Sequence, residues 1–205
     1  MMRMQNPFAA ISPTGVDSIV LSVLARSTGM YTTSDIMGLL PEKASREAVR
    51  QATARLVVQG VIIEQRAGIL SMFTLNREHL LADAILAISK AKRTFIARLR
   101  EEISSWPMQP VTVMLFGSAA RNEMGNGSDI DLLVVVPDTW PEDENHIQQL
   151  SGRASLWTGN DVRPLVYTES EVADAPIFNS ILTDGIDVAG DKNWLRKRIR
   201  KVPVR

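Results

Sequence analysis

Residues 116–134 read FGSAARNEMGNGSDIDLLV, and this stretch decides the fold of the second half of the chain. A Gly-Ser pair follows the apolar run 111–116, which predicts a strand that ends in a tight turn. Asp129 and Asp131 stand one residue apart at the head of a second apolar run, 130–136. The pattern predicts strand, turn, short helix, loop and strand, an alternation typical of an α/β layered domain.

The two carboxylates predict a metal site. Alternate residues of a strand point to one face, so Asp129 and Asp131 aim at the same spot, where they repel each other unless a cation lies between them. Mg²⁺ or Mn²⁺ suits such a site, because Mg²⁺ accepts a few carboxylates and completes its shell with phosphate oxygens and water. Gly117 allows a close approach, and Ser118 opens a helix whose free N–H groups favour an anion. We therefore expect a triphosphate-and-metal site.

This arrangement resembles the nucleotidyltransferase superfamily that includes DNA polymerase beta, in particular its small, minimal members. Asn122 stands where that family usually has glycine, and asparagine tolerates the left-handed backbone conformation better than most residues. A solvated loop leading into a buried strand is the less favoured alternative. The positions that match the family pattern are Gly117, Ser118, Ala120, Arg121, Ser128, Asp129, Asp131 and Leu132.

The resemblance implies a Mg²⁺-dependent transfer of a nucleoside monophosphate from an NTP, with ATP the expected one, to an acceptor hydroxyl. The acceptor would be a protein side chain, as in toxin–antitoxin systems, an RNA end or a small molecule. Asp129 and Asp131 would hold the metal and be catalytic. The nucleotide-binding residues would be Gly117, Ser118, Arg121 and Ser128.

One departure from the family concerns the third carboxylate, which active members place on the strand corresponding to residues 161–167. The aligned position is Arg163. Asp161 lies two residues earlier on the same strand face, and it is our candidate for the third catalytic carboxylate. The alternative is a site with two carboxylates and an arginine, which binds nucleotide and has weak or no catalysis.

The first 80 residues resemble a winged helix-turn-helix, with three helical stretches followed by a β hairpin around 67–68. The third helix would enter the major groove of double-stranded DNA. A protein-interaction module is the alternative, because exposed arginines often form only a solvated face. The candidate DNA-binding residues on this helix are Arg46, Arg50, Gln51 and Arg55.

Apolar residues at helical spacing predict one long linker helix over 77–105, which leaves room for packing in a homodimer. We therefore expect an N-terminal winged helix at 1–80, a linker helix at 81–106 and a nucleotidyltransferase-type mixed sheet with flanking helices at 107–205. The fold class is α/β (α+β).

Composition narrows the class of protein. The 205 residues are 45% hydrophobic and 22% charged, which is ordinary for a soluble globular protein. The absence of cysteine excludes disulfides and thiolate metal sites. No apolar run predicts a membrane span or a signal peptide, so we expect a cytoplasmic protein.

The formal net charge of zero conceals a strong asymmetry along the chain. The net charge is +4 over 1–106, −10 over 107–190 and +6 over 191–205, so metal ions are expected at the acidic centre.

Two functions remain open. One is a nucleotidyltransferase targeted through a DNA-binding winged helix, and the other is a DNA-binding transcriptional regulator whose inactive second domain senses nucleotide.

Overall fold

The computed structural model describes residues 1–12, 15–141 and 144–200 of the chain. It contains two compact units, an N-terminal unit, Met2–Lys92, and a C-terminal unit, Arg93–Arg205, which also includes Met1. The predicted mixed α/β class is confirmed, since both units combine helices with a sheet. Within the described residues, no helix is long and apolar enough to cross a membrane.

The N-terminal unit has the predicted order of helices followed by a hairpin. A short 3₁₀ turn at Pro7–Ala10 precedes the first helix. The three strands form an antiparallel sheet in the order β1-β3-β2. The elements are α1 (Val16–Leu24), β1 (Tyr31–Thr32), α2 (Thr33–Leu39), α3 (Arg46–Val58), β2 (Ile62–Ala67), β3 (Leu70–Leu75) and α4 (Ala82–Ser89).

Local sequence signals fix the helix ends of this unit. Thr32 forms a capping box with Asp35, so each side chain bonds the other residue's backbone N–H at the start of α2. The Ser45 hydroxyl accepts from the backbone N–H of Ala48 at 3.1 Å and caps α3. Past the end of α3, Gly60 adopts φ +72°, the left-handed conformation with which helices commonly end.

The predicted linker helix over 77–105 is two helices. The first is α4, and the second is α5 (Ala91–Ser104); Lys90 between them has φ −91° and ψ 4°, outside the helical region. Leu80, expected on the apolar stripe, precedes α4 and is 95% exposed. The division between the two units falls at Lys92, so α4 belongs to the N-terminal unit and α5 to the C-terminal unit.

Each of these helices serves its own core. Ile85 of α4 packs with the buried residues of the N-terminal unit. Phe95, Leu99 and Ile103 of α5 are buried at spacings of four in the C-terminal unit. The two helices therefore pack their apolar residues in separate units, on either side of the break at Lys90.

The C-terminal unit is built on a four-stranded mixed sheet in the order β6-β5-β4-β7. Strand β4 is antiparallel to both β5 and β7, and β5 is parallel to β6. Besides α5, the elements are β4 (Thr112–Phe116), α6 (Gly117–Arg121), β5 (Ile130–Val136), α7 (His146–Thr158), β6 (Val162–Thr168), α8 (Pro176–Asp184), β7 (Ile186–Gly190) and α9 (Trp194–Arg200).

Strand β5 is the centre of this unit. From Leu132 onward every residue of the strand is buried, as its continuous apolar sequence requires. Helices α8 and α9 cover one face through Phe178, Ile181 and Leu195. The predicted basic tail corresponds to α9, and residues 201–205 lie outside the described part of the chain. Because β5 is anchored along its length, the carboxylates at its start are held in a fixed register.

Candidate active site

The site lies where β4 ends and β5 begins. Asp131 is opposite Phe116 in the antiparallel pair of β4 and β5, and it is beside Arg163 in the parallel pair of β5 and β6. The turn after Phe116 therefore passes over the Asp131 carboxylate. The structure thus brings together the Gly-Ser turn and the Asp-x-Asp strand that the sequence predicted to be neighbours.

Gly117 is required at this turn for two reasons. Its φ is +68°, in the left-handed region that L side chains rarely adopt. A Cβ built on residue 117 would lie within 3.0 Å of the Asp131 Oδ2 atom, a distance that real Cβ atoms essentially never show. The Asp131 carboxylate therefore occupies the space left by the missing side chain, and the turn carries backbone close to a negative charge.

The carboxylates of Asp129 and Asp131 repel each other. Burial raises the pKa of Asp131, and the negative charge of Asp129 raises it further, while the guanidinium groups of Arg163 and Arg121 act in the opposite direction. Asp129 and Asp131 are both half-buried. The ionised pair is therefore incompletely neutralised, which is the electrostatic condition for cation binding.

Arg163 is the principal cation against these carboxylates. Its Nη1 atom is 2.5 Å from Asp129 Oδ2, and its Nε donates to Asp161 Oδ2 at 2.8 Å. The hydrogen bond to Asp161 and then the charge of Asp129 raise the pKa of Arg163. One guanidinium thus joins two of the three carboxylates predicted for catalysis. Its side chain is 60% exposed.

Asp161 immediately precedes β6, and its carbonyl accepts from the backbone N–H of Ile130 at 2.8 Å. This bond places Asp161 beside the start of β5, with its carboxylate engaged by Arg163. In residues 1–12, 15–141 and 144–200 no group of three or more His, Cys, Asp or Glu side chains is placed to hold a metal ion. The role of Asp161 as a third carboxylate stays a prediction.

The other predicted nucleotide-binding residues shape the loop between the strands. The Ser128 hydroxyl accepts from the backbone N–H of Gly125 at 2.8 Å and closes the turn before Asp129. The Arg121 Nε donates to Glu123 at 2.8 Å, and this hydrogen bond raises the pKa of Arg121. The Ser118 carbonyl accepts from the Glu123 N–H at 2.9 Å, beyond the end of α6.

Two asparagines support the site. Asn122 has φ +61° and ends α6 in the left-handed conformation, which confirms that asparagine replaces the glycine of the family pattern without loss of the turn. Asn160 was missed by the sequence reasoning. It is buried, and its Nδ2 donates to the Ser128 carbonyl at 2.9 Å, linking the start of β6 to the turn before β5. No local sequence signal marks this long-range bond.

The four predicted DNA-binding residues do not share one surface. Arg46 and Arg50 line a cavity of about 600 Å³ between α3 and the hairpin of β2 and β3, where Arg66 joins them. Arg55 pairs with Asp17 of α1 at 2.9 Å and does not line this cavity. The expectation that Arg55 lies with Arg46 and Arg50 is wrong, because five residues of α-helix rotate it about 140° from Arg50.

Gln51 is the remaining member of that set. Its Nε2 donates to Glu47 at 3.1 Å, and Arg50 pairs with the same carboxylate at 3.2 Å. Glu47 therefore neutralises part of the positive charge that the sequence placed on this helix.

The donor set fits a divalent cation between Asp129 and Asp131. Asp129 immediately precedes β5, its charge acts on Asp131, and the backbone at residue 117 can lie this close to the Asp131 carboxylate only because it has no Cβ. These two residues would hold the cation, and Arg163 must release at least one oxygen of Asp129 for it to bind fully.

Comparison with known proteins finds a family model that matches part of the chain. Residues 96–176 match the family model of the nucleotidyltransferase domain. The match contains β4, the Gly-Ser turn, β5 and β6, and therefore every residue of the candidate site. A search of curated proteins gave no match.

Several solved structures resemble parts of the chain. A toxin–antitoxin crystal structure with AMP-PNP is 19% identical, with a TM-score of 0.39 over 53% of this chain and 81% of that chain. A structure of tri-AMPylated Shewanella oneidensis HEPN toxin in complex with MNT antitoxin is 16% identical, with a TM-score of 0.37 over 52% and 82%. TrmBL2, an archaeal chromatin protein, is 13% identical, with a TM-score of 0.32 over 80% and 70%.

Replacing Gly117 by Ala tests the close approach at the turn. We expect Gly117→Ala to lower the free energy of unfolding by about 1–2 kcal/mol for the left-handed backbone alone, with a further cost from displacing Asp131. The matched control is Gly152→Ala in α7, where a Cβ meets nothing within 4 Å and stability should rise by up to about 1 kcal/mol. Equal effects of the two substitutions would contradict the close approach.

Tryptophan fluorescence during denaturation reports this change selectively. All four tryptophans of the chain lie in the C-terminal unit, so their signal follows the unfolding of that unit. They are Trp106, Trp140, Trp157 and Trp194.

The raised pKa of Asp131 predicts a pH-dependent effect of its removal. The contribution of a carboxyl with a raised folded-state pKa is fully present below the unfolded-state pKa and is lost as pH rises through the folded-state pKa. Ionised Asp131 therefore destabilises the metal-free protein near neutral pH. We expect Asp131→Asn to raise the melting temperature at about pH 7 without divalent cations, and to raise it less at about pH 4.

Asp138 provides a control of opposite sign. The backbone N–H of Ser170 donates to it at 2.9 Å, and this hydrogen bond lowers the pKa of Asp138. Its contribution to stability is therefore present above the unfolded-state pKa and lost as pH falls. Asp138→Asn should lower the melting temperature at about pH 7. A lower melting temperature for Asp131→Asn under the same conditions would contradict the electrostatic account.

Proposed function

We propose that the C-terminal unit binds an NTP together with Mg²⁺ or Mn²⁺ and transfers a nucleoside monophosphate to an acceptor hydroxyl. The observation that carries this proposal is the placement of Gly117 directly over the Asp131 carboxylate, with Asp129 immediately before β5 and its charge acting on Asp131. A turn without a side chain lets its backbone lie close to the carboxylates, so that a phosphate bound to the backbone N–H groups would be beside the cation. The match of residues 96–176 to the nucleotidyltransferase domain supports the same chemistry.

The chain's own residues divide the work of binding. Asp129 and Asp131 hold the cation. Gly117 and Ser118 present backbone to the β- and γ-phosphates, and Arg121 adds positive charge at the end of α6. Ser128 closes the turn that aims Asp129. When bound, Mg²⁺ or Mn²⁺ neutralises phosphate charge and lowers the pKa of an attacking hydroxyl.

The proposed transfer is a displacement at the α-phosphorus of the NTP. The acceptor oxygen forms a bond to this phosphorus, and the bond from the α-phosphorus to the bridging oxygen of the β-phosphate breaks. Pyrophosphate leaves with that electron pair. The acceptor proton passes to a carboxylate of the site, for which Asp161 is the candidate, and then to solvent. A protein, an RNA or a small molecule with a free hydroxyl satisfies this chemistry.

Label transfer tests this activity directly. The full chain is incubated with each NTP labelled at the α-phosphate, a divalent cation and a cell lysate that supplies acceptors. We expect covalent label with at least one NTP, because the site holds the triphosphate with its α-phosphorus exposed to the acceptor. Asp129→Asn with Asp131→Asn should abolish the label. Persistence of the label in the double variant would contradict the assignment of these residues.

Asp161→Ala refines the result. Loss of label with an unchanged melting temperature supports Asp161 as the third carboxylate, and full activity excludes it. If the wild type transfers no label while an NTP with Mg²⁺ still raises its melting temperature, the site binds nucleotide without catalysis.

A second function is favoured by the position of Arg163. It occupies the residue of β6 beside Asp131, where a catalytic carboxylate is expected from the family resemblance. We propose, as the alternative, a DNA-binding transcriptional regulator whose C-terminal unit senses nucleotide. The N-terminal unit would act as a winged helix, with Arg46, Arg50 and Arg66 around the cavity between α3 and the hairpin. Positive charge at this cavity suits binding to DNA phosphates.

Duplex binding across a range of salt concentrations tests the regulator. Arg46→Ala with Arg50→Ala should weaken binding and reduce the slope of log affinity against log salt by roughly 0.9 for each phosphate that is no longer neutralised. Arg55→Ala removes one charge from the same helix but lies with Asp17, so its effect should be smaller than that of Arg46→Ala or Arg50→Ala alone. An equal effect of Arg55→Ala, or no duplex binding at low salt, would contradict DNA binding through this cavity.

A further inference from the structure

The chain itself supplies a cation to the carboxylates of the site. The Arg163 guanidinium contacts Asp129 Oδ2 through Nη1 and Asp161 Oδ2 through Nε. Arg163 also lies beside Asp131 in the register of β6 against β5, so its positive charge acts on that carboxylate as well. The planar guanidinium of arginine can donate to two carboxylates through separate N–H groups. The ammonium of lysine is a compact point charge and cannot reproduce this geometry.

This arrangement creates a competition at Asp129. A divalent cation that uses both Asp129 and Asp131 must share Asp129 with the guanidinium, and the two positive charges repel each other. The guanidinium is on an exposed side chain anchored at a strand position in register with Asp131. Its head can therefore leave Asp129 while its Cα stays beside the site.

A bound triphosphate changes this balance. It brings several negative oxygens to the turn at Gly117 and Ser118, and arginine binds phosphate oxygens through paired N–H groups. The Arg163 guanidinium, which hinders cation binding when no nucleotide is present, would then have the triphosphate as a second anionic partner. Phosphate and carboxylate geometry both suit this side chain, so the exchange needs no other movement of the sheet.

We propose that Arg163 is a positioning residue that exchanges Asp129 for the triphosphate when nucleotide binds. This inference rests on the proposed nucleotide site, and it adds that the site binds a cation more tightly when nucleotide is also bound. Without nucleotide, Arg163 holds Asp129 and weakens the binding of a cation. With nucleotide, Arg163 contacts the phosphates and frees Asp129 for the cation. The site therefore favours the cation–nucleotide pair over the cation alone.

The test is the effect of Arg163→Gln on two equilibria of the full chain. Electron paramagnetic resonance measures the binding of Mn²⁺ alone, and calorimetry measures a non-hydrolysable ATP analogue at saturating Mn²⁺. Arg163→Gln should bind Mn²⁺ alone about two- to fivefold more tightly and the analogue about two- to fivefold more weakly, since an exposed charge pair contributes up to about 1 kcal/mol, which corresponds to about fivefold. Tighter binding of Mn²⁺ together with weaker binding of the analogue is the result expected only if Arg163 moves from Asp129 to the phosphates.

Matched variants separate this effect from a loss of charge or of structure. Arg153→Gln removes the same charge from α7, where Arg153 pairs with Glu102, and it should change neither equilibrium. Arg163→Lys retains the positive charge but lacks the planar pair of N–H donors, so it should bind the analogue more weakly than the wild type. An unchanged tryptophan unfolding transition shows that each variant is folded.

The outcomes also distinguish the inference from the proposed function. If Asp129→Asn with Asp131→Asn loses Mn²⁺ binding while Arg163→Gln matches the wild type in both equilibria, the exchange is wrong and the metal site stands. Effects of the same sign in the two equilibria also overturn the exchange. If the double aspartate variant binds Mn²⁺ and the analogue as the wild type does, the proposed function and the inference both fall. If neither the wild type nor Arg163→Gln binds Mn²⁺ alone while both bind the analogue with Mn²⁺, the inference alone falls.

Discussion

The candidate site depends on one steric and electrostatic constraint, the seating of the Asp131 carboxylate in the space left by Gly117. Any side chain at position 117 would collide with Asp131 Oδ2, and the backbone there has a φ that glycine adopts freely. Because β5 is buried along its length, Asp131 cannot retreat from the turn. The strand, the turn and the charge are thus fixed together, and in the proposed site a turn that would bind phosphate is held against a carboxylate that would bind a cation.

The same constraint explains the charges around it. Asp131 is partly desolvated and lies near Asp129, so the site is short of positive charge when no ligand is bound. Arg163 supplies part of it from the neighbouring strand, and its contact with Asp161 draws a third carboxylate to the same place. The exposed Arg163 side chain can change its position, whereas the Asp131 carboxylate is held against the turn at Gly117. A ligand that carries both a cation and phosphates satisfies the two together.

Local patterns predicted the parts of this structure that depend on neighbouring residues. The Gly-Ser turn, the Asp-x-Asp strand, the cap at Ser45 and the left-handed Asn122 each follow from side-chain chemistry within a few positions. Contacts across the sheet were not predictable in that way. The pairing of Arg163 with Asp129 needs the register of β5 against β6, and the Asn160 bond needs the same register.

The helical segments show the same limit. A hydrophobic period over 77–105 predicted one helix, but the backbone leaves the helical region at Lys90 and the two resulting helices belong to different units. Arg55 was grouped with Arg46 because both are exposed arginines of α3, whereas its partner Asp17 belongs to another helix.

The most direct test of the central claim is anomalous diffraction from crystals of the full chain grown with Mn²⁺ and a non-hydrolysable ATP analogue. The account predicts a manganese peak coordinated by Asp129 and Asp131, with phosphates over Gly117; a peak or a nucleotide bound away from these residues would contradict it.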